Sequence, residues 1–316
     1  VGACEDELGN SFEPVQIVSG EEIIFGASYR SASADKAPAD RTTRTAYGET
    51  NADKSWIEIN WIAGYDRMQI ASPQSAGVAN GVAEYKVQDS ENSETNGGES
   101  TVTELVRAGA AGLQWNDITQ GAVYDFYAVY PYIQPSSVES YVFEIAADQN
   151  SPRTENTLGG YEASDLLFAK AENVSHADGK VSLKFRHMMS KCIVNVIKGE
   201  KFEGELPEDI SVHIYNTVTT ADLNLANGSI EKYALGNRNT ITMKKVSSDK
   251  FEAVVIPQNI ERRTPLIEIS MGGIAYLMEY SLSFKPGYQH TINLTVNTSP
   301  DQEKFEISID ASTGGM

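Results

Sequence analysis

The feature that most constrains the fold is a pair of apolar runs near the middle of the chain. In residues 181–187 every second side chain is apolar, and the residues between them are Ser, Lys and Arg. This period of two predicts a β-strand that buries one face. Residues 192–197 form a second run with apolar side chains on both faces. Such a strand is expected at the centre of a sheet, with neighbours on both sides.

The rest of the chain repeats the strand pattern in short runs, and long amphipathic helical windows are hard to find. After residue 181 the runs follow one another at a spacing of about ten residues, which is typical of a sandwich of antiparallel sheets. Residues 124–132, YDFYAVYPY, are the most aromatic window. We interpret its alternating rings as core packing rather than a surface for sugars. The sequence therefore predicts an all-β protein.

Composition narrows the possible partners. The 316 residues include 44 acidic and 25 basic side chains, and the net charge is −19. This excess argues against nucleic-acid binding, which requires a basic surface. It suits a surface-exposed or extracellular protein. No apolar stretch approaches the roughly 20 residues of a membrane-spanning helix.

The sequence contains no recognisable catalytic or metal-binding motif. None of the histidines, His176, His187, His213 and His290, has a neighbour at metal-ligand spacing. A nucleophile elbow and a phosphate-binding glycine loop are also missing. The sequence predicts a protein that is not an enzyme and uses no metal or cofactor.

The two cysteines, Cys4 and Cys192, differ in their surroundings. Val1-Gly-Ala-Cys4 is typical of the end of a lipoprotein signal, in which small residues precede a cysteine that becomes acylated. We therefore predict lipidation of Cys4, for example with palmitate, and the alternative is an ordinary cysteine in a terminal tail. Cys192 lies in a strand and is expected to pack in the core. A disulfide between them is not expected, because one lies in a tail and the other in a core strand.

Several of these runs resemble the fimbrillin-type proteins of Bacteroides and related bacteria. These are surface lipoproteins, and many of them polymerise into fimbriae. The resemblance is carried by DLLFAK at 165–170, VSLKFRH at 181–187, SKCIVNV at 190–196, YDFYAVYPY at 124–132 and FKPGYQHTINL at 284–294. Residues 61–70 are similar to a hairpin of the family, except that Tyr65 is inserted between Gly64 and Asp66.

The resemblance implies two tandem Greek-key (transthyretin-like) β-sandwich domains. We predict a lipoprotein tether at residues 1–14, an N-terminal domain at 15–178 and a C-terminal domain at 179–316. The Asp178-Gly179 pair is a turn signal and marks the expected joint. The expected location is the outer membrane or a fimbrium on the cell surface.

The resemblance also implies assembly by strand exchange. In polymerising members a trypsin-like protease cuts at an arginine after the first strand, and the best match is Arg44, with Arg41 as a second candidate. An arginine that is never cut is the alternative. Cleavage would release the strand that contains Ile23 and Phe25. The candidate donor strand for another subunit carries the alternating apolar residues Phe305, Ile307 and Ile309.

Two functions therefore remain open at this stage. The first is a fimbrial subunit or fimbrillin-like lipoprotein that mediates adhesion, with other fimbrial subunits, the outer membrane and a surface receptor or glycan as partners. The second is a monomeric glycan-binding lipoprotein that uses exposed aromatic side chains such as Tyr132, Tyr141 or Tyr161.

Overall fold

A computed structural model describes residues 20–29, 59, 61–62, 64–75, 78, 81–88, 103–133, 140–299 and 306–313. The strands up to residue 187 are β1 (Glu21–Glu22), β2 (Phe25–Tyr29), β3 (Arg67–Ala71), β4 (Val82–Val87), β5 (Thr103–Arg107), β6 (Gln114–Trp115), β7 (Tyr124–Tyr130), β8 (Tyr141–Glu144), β9 (Leu167–Val174) and β10 (Val181–His187). The later strands are β11 (Ser190–Lys201), β12 (Ser211–Val218), β13 (Thr220–Asn224), β14 (Ser229–Lys232), β15 (Arg238–Thr242), β16 (Lys244–Lys245), β17 (Lys250–Val255), β18 (Gln258–Ile260), β19 (Pro265–Met271), β20 (Ile274–Glu279), β21 (Leu282–Phe284), β22 (Gln289–Thr298) and β23 (Ile307–Thr313). Among these residues the helical elements are α1 (Gly160–Ser164) and a 3₁₀ turn at His176–Asp178. The predicted all-β, sandwich-like fold is confirmed.

Seven strands of the first half form one closed sheet. Their order is β10-β2-β5-β4-β3-β7-β9, and β9 pairs with β10 to close it. Every pairing is antiparallel except that of β2 with β10. The inside is aromatic: the ring of Phe25 lies 5.1 Å from that of Tyr85 and 5.2 Å from that of Phe126, both edge to face. Such pairs stabilise a core beyond the area that they bury. The aromatic window around Phe126 is core, as predicted.

The second half is built from two main sheets that share one core. One has the order β16-β17-β11-β22-β23 and the other the order β15-β12-β19-β20. Side chains such as Val194 of β11 and Ile214 of β12 are fully buried in this core. A smaller sheet, β14-β13-β8, attaches β8 of the first half to β13.

Strand β11 is central, as its apolar pattern predicts, with β17 antiparallel on one side and β22 parallel on the other. Its far end departs from the prediction, because Ile197 is 43% exposed. The pairing with β17 stops at Asn195, so the strand continues beyond its neighbour and loses the cover on one face.

The predicted domain boundary lies next to a strand that continues the first sheet. Val181 and Phe185 of β10 are buried in the same core as the N-terminal strands. Division of the chain into two domains at residues 178/179, and their Greek-key order, stay predictions. The pairing of β10 with β2 and β9 favours a joint just after His187 instead.

Two buried polar pairs lie near this joint. The imidazole Nδ1 of His187 is 2.8 Å from a carboxylate oxygen of Asp165, and both side chains are fully buried. The ammonium of Lys191 is 3.1 Å from Glu252 on the neighbouring strand, and burial lowers the pKa of this lysine. Removing one member of such a pair leaves an uncompensated buried charge, which is strongly destabilising. His187 ends β10 and Lys191 lies in β11, so the two pairs lie on either side of the joint.

Candidate strand-exchange site

Strand β2 is inserted between two strands that come from distant parts of the chain. Its residues pair in parallel with β10, from Phe25 opposite Val181 to Tyr29 opposite Phe185. On its other edge Phe25 pairs antiparallel with Leu105 of β5. Both backbone edges of β2 are thus used, and β10 and β5 are joined through it. Without β2 the sheet would be open at this point.

The apolar residues on one face of this segment are buried, and Ser28 on the other face is buried as well. Ile23, Phe25 and Ala27 lie in the first core, whereas Ile24 between them is 59% exposed. This is the alternation that the sequence predicts for the first strand. Burial of an Ile or a Phe side chain stabilises a fold by about 1.5–3 kcal/mol. The segment is therefore held by a few kcal/mol of apolar burial together with its ladder hydrogen bonds.

Charged residues flank the inserted strand. Glu21 lies 2.7 Å from the imidazole of His176, and Glu22 lies 3.9 Å from Arg107. The Lys180 ammonium, just before β10, is 2.5 Å from Glu104 of β5. All of these groups are partly exposed, and exposed ion pairs contribute little to stability.

The candidate donor residues lie at the opposite end of the chain and in a different setting. Strand β23 pairs antiparallel with β22 and is the last strand of its sheet, so its other edge has no neighbour among the described residues. Ile307 and Ile309 are half-buried and pack against the second core. Phe305, the third donor residue, lies outside the described residues.

Three other predicted site residues also lie outside the described part. They are Cys4, the predicted lipidation site, and the candidate cleavage sites Arg41 and Arg44. The two arginines belong to the interval between Tyr29, the last residue of β2, and Ile59, the next described residue. In the sequence, therefore, both candidate cuts would separate β2 from the rest of the chain.

The cysteine that the structure describes has a core position. Cys192 is a free thiol, completely buried, and burial raises its pKa to about 12. A thiol in this state is unreactive while the core is closed, because the thiolate is the nucleophile. The prediction of a packing role for Cys192 is confirmed.

The tyrosines proposed for glycan binding divide into three cases. Tyr161 is only 1% exposed, so its prediction as an exposed aromatic is wrong: it lies on α1, which packs its ring into the second core. Tyr141 is half-buried and packs against the same core. Tyr132 borders an open cleft together with Tyr65 and Arg153, which sequence reasoning did not select. The insertion of Tyr65 is the sequence feature that indicates a departure from the family hairpin beside this cleft.

The described residues contain neither a metal-binding cluster nor a membrane-spanning helix. No group of three or more His, Cys, Asp or Glu side chains is arranged to hold a metal ion. No helix in this part of the chain is long and apolar enough to cross a membrane.

The class of protein follows from comparison with known families. A family described as fimbrillin-like matches residues 74–311, which is more than half of the chain. This protein therefore belongs to the fimbrillin-like family, as the sequence motifs indicated. Membership points to a non-enzymatic role in a cell-surface appendage, and it supports association with other fimbrial subunits. The matched region begins after β3 and ends within β23.

Solved structures show the same fold. A candidate cell adhesion protein of Bacteroides uniformis matches with a TM-score of 0.61 at 18% identity, over 92% of this chain and 97% of that one. A second such protein, from Bacteroides ovatus, matches with a TM-score of 0.58 at 15% identity, over 94% of this chain and 99% of that one. A third, from Bacteroides fragilis, has a TM-score of 0.52 at 12% identity and covers 94% of this chain and 99% of that one. No curated protein sequence matches this chain.

Proposed function

We propose that this chain is a fimbrial subunit that assembles by donor-strand exchange after an arginine-specific protease has cut it. Membership of the fimbrillin-like family supports the fimbrial role. The observation that carries the mechanism is the position of β2, which completes the closed sheet between β10 and β5. A strand that closes a sheet but is distant in sequence from the strands beside it can be replaced by another strand with a similar apolar pattern.

The first step is release from the membrane. A lipid on Cys4 would hold the subunit at the outer membrane. Cleavage after Arg44 or Arg41 would break the covalent link between β2 and the remainder of the chain. From then on only ladder hydrogen bonds, apolar burial and weak ion pairs would hold β2 and the lipid in place.

The second step is the filling of the groove. Departure of β2 would expose the backbone edges of β10 and β5 and the space left by Phe25. Unpaired strand edges are a template for another strand. The donor pattern suits this groove, because Phe305, Ile307 and Ile309 repeat the period of Ile23, Phe25 and Ala27. Among the described residues β23 has a strand neighbour along one edge, which favours exchange of this strand.

The assembled polymer is proposed to serve adhesion to a surface receptor or glycan. Several proteins with the same fold are described as candidate cell adhesion proteins, which supports this reading. The alternative, a monomeric glycan-binding lipoprotein, is favoured by one observation, the open cleft that Tyr65 and Arg153 border.

Limited digestion with an arginine-specific protease tests the mechanism. Mass spectrometry should show a single cut after Arg41 or Arg44, and size analysis should then show a ladder of SDS-resistant oligomers. A peptide of residues 303–313 added in excess should cap the groove and stop the ladder. The matched control peptide carries Asn in place of Ile307 and Ile309 and should leave the ladder intact.

Two variants complete the design. The double substitution Arg41→Gln with Arg44→Gln should prevent both cleavage and polymerisation. A stable monomer after clean cleavage of the unaltered chain would refute strand exchange and leave a tip, an anchor or a glycan-binding lipoprotein.

A further inference from the structure

An open cleft lies at one end of the closed sheet, away from the inserted strand. It is formed where β3 begins and β7 ends, and residues 153–158 of the loop before α1 form the opposite wall. Its volume is about 500 Å³, which is the size of a small-molecule site. The lining includes Tyr65, Arg67, Tyr132, Arg153, Asn156 and Thr157.

The walls of the cleft are held in place by buried contacts. Asp66 is buried and accepts hydrogen bonds from the Tyr130 hydroxyl at 2.9 Å and from the Ile62 backbone N–H at 2.7 Å. The base of the opposite loop is packed too closely for side chains. A Cβ at Gly160 would lie 2.0 Å from the carbonyl oxygen of Asp148. A cleft with fixed walls loses little entropy when a ligand binds.

Arg153 provides the unusual chemistry of this cleft. Its guanidinium carbon lies 4.9 Å from the centre of the Tyr65 ring. Its Nη1 is buried and makes no hydrogen bond to the part of the chain that the structure describes. Arg67 on the same wall differs, because its Nη1 donates to Glu84 at 2.9 Å. A buried donor without an acceptor is costly, and an acceptor that entered the cleft beside the guanidinium would relieve this cost.

The acceptor that best fits a guanidinium is a carboxylate, which it can bind through two parallel hydrogen bonds. The lining also contains Asp66 and Glu155, and its other polar and aromatic groups suit a sugar ring that carries the carboxylate. Tyr65 is 44% exposed and presents an aromatic ring with a polar tip, while Asn156 and Thr157 offer an amide and a hydroxyl to ring hydroxyls. We propose that this cleft binds a single acidic sugar residue, such as a uronic acid. A polyanionic chain is disfavoured, because the protein carries a net charge of −19.

This inference does not depend on strand exchange. None of the lining residues belongs to β2, β5 or β10, so a failure of either proposal leaves the other in place. A subunit could carry this site whether or not it polymerises.

The test is a titration of the purified full chain, followed by saturation-transfer NMR. D-glucuronate and D-galacturonate are the acidic probes, and D-glucose and acetate separate the contributions of the ring and of the carboxylate. We expect saturable binding of at least one uronate in the millimolar range, about tenfold or more tighter than either glucose or acetate.

Variants locate the binding site. Arg153→Gln should weaken uronate binding by about tenfold or more, and Tyr65→Ala should weaken both uronate and glucose binding. The matched control is Arg262→Gln, an exposed arginine remote in sequence from every lining residue, and it should bind as the unaltered chain does. If Arg153→Gln fails to fold by circular dichroism, Arg153→Lys keeps the charge but loses the fork, and a several-fold loss is expected.

Each contrary result removes part or all of the proposal. Equal binding of glucose and uronate would exclude the carboxylate, and equal binding of acetate would exclude the sugar. Saturable uronate binding that survives Arg153→Gln would place the site elsewhere. Flat titrations with both uronates would overturn the proposal as a whole.

Discussion

Strands β2 and β23 carry similar alternating patterns near opposite ends of the chain, yet the structure uses them differently. Strand β2 has a neighbour along each edge and buries Phe25 completely. Strand β23 has a neighbour along one edge, and Ile309 on its inner face is only half-buried. The first closes a sheet and the second extends one. Strands with similar alternating patterns therefore differ here in their number of paired edges, and we expect the strand with two paired edges to be held more firmly.

The largest effect is expected for Phe25→Ala. Loss of a fully buried ring at the centre of the first core should lower the free energy of unfolding by about 3–5 kcal/mol, because a cavity remains. Tryptophan fluorescence in urea measures this, since Trp115 packs 5.9 Å from Phe126 in the same core. The matched control is Ile24→Ala at the exposed neighbouring position, with a change within about 0.5 kcal/mol. Equal changes in both variants would mean that β2 is not an integral part of the core.

A smaller effect is expected from acid on the sheet that contains β23. His290, opposite Thr313 of β23, is buried, and this burial, with the charge of Lys285, lowers its pKa to about 4. Below pH 6.5 the unfolded chain therefore binds a proton that the folded chain does not. The contribution of neutral His290 to the free energy of unfolding is therefore fully present above pH 6.5 and is lost as the pH is lowered towards 4. The loss between pH 7 and pH 5 should be about 2 kcal/mol.

The measurement is urea unfolding by circular dichroism at pH 7, 6 and 5. His290→Gln should remove most of the pH dependence, because a Gln side chain does not titrate. Gln can still accept the hydrogen bond that the Lys285 backbone N–H donates to His290 at 3.2 Å. The control His213→Gln replaces a half-buried histidine and should keep the loss in acid. An unchanged slope in His290→Gln would show that other groups control the acid response.

The smallest effect is expected for Ile309→Ala. Its side chain is half-buried on an edge strand, so the free energy of unfolding should fall by about 1 kcal/mol, well below the value for a fully buried isoleucine. The rate at which Cys192 is labelled in moderate urea reports opening of the second core, in a background with Cys4→Ser. The control is Ser308→Ala, whose side chain is exposed. A loss as large as that of Phe25→Ala would erase the contrast between the two strands.

Much of the fold was accessible from the sequence. The period of two at 181–187 identified β10, and the apolar residues at 192–196 identified β11 as a central strand. Gly272-Gly273 is a pair of the kind that favours a two-residue turn, and both residues have positive φ, 57° and 78°, between β19 and β20. These features succeed because strand and turn propensities act over a few neighbouring residues.

The candidate sites were less accessible. The alternation of apolar residues predicts the strand that contains Ile23 and Phe25. It does not predict the two strands between which that strand lies. The sequence analysis predicts an exposed Tyr161, but the residue is buried, because an aromatic residue outside a strand pattern does not indicate which face it presents. The sequence does not identify Arg153 as a candidate site residue, because the residue that it contacts, Tyr65, lies far away in the sequence.

Many strand segments, their apolar faces and the resemblance to the fimbrillin-like proteins can be recognised in the sequence. They can be recognised because alternation and short motifs are local properties of the chain. Only the tertiary structure decided that β2 pairs in parallel with β10, that β8 joins β13, and that Arg153 meets Tyr65 at the rim of a cleft. Pairing between residues so far apart in the sequence depends on the total burial and hydrogen bonding of the folded chain. A period of two shows which face of a strand is buried, but it does not show which strand lies beside it.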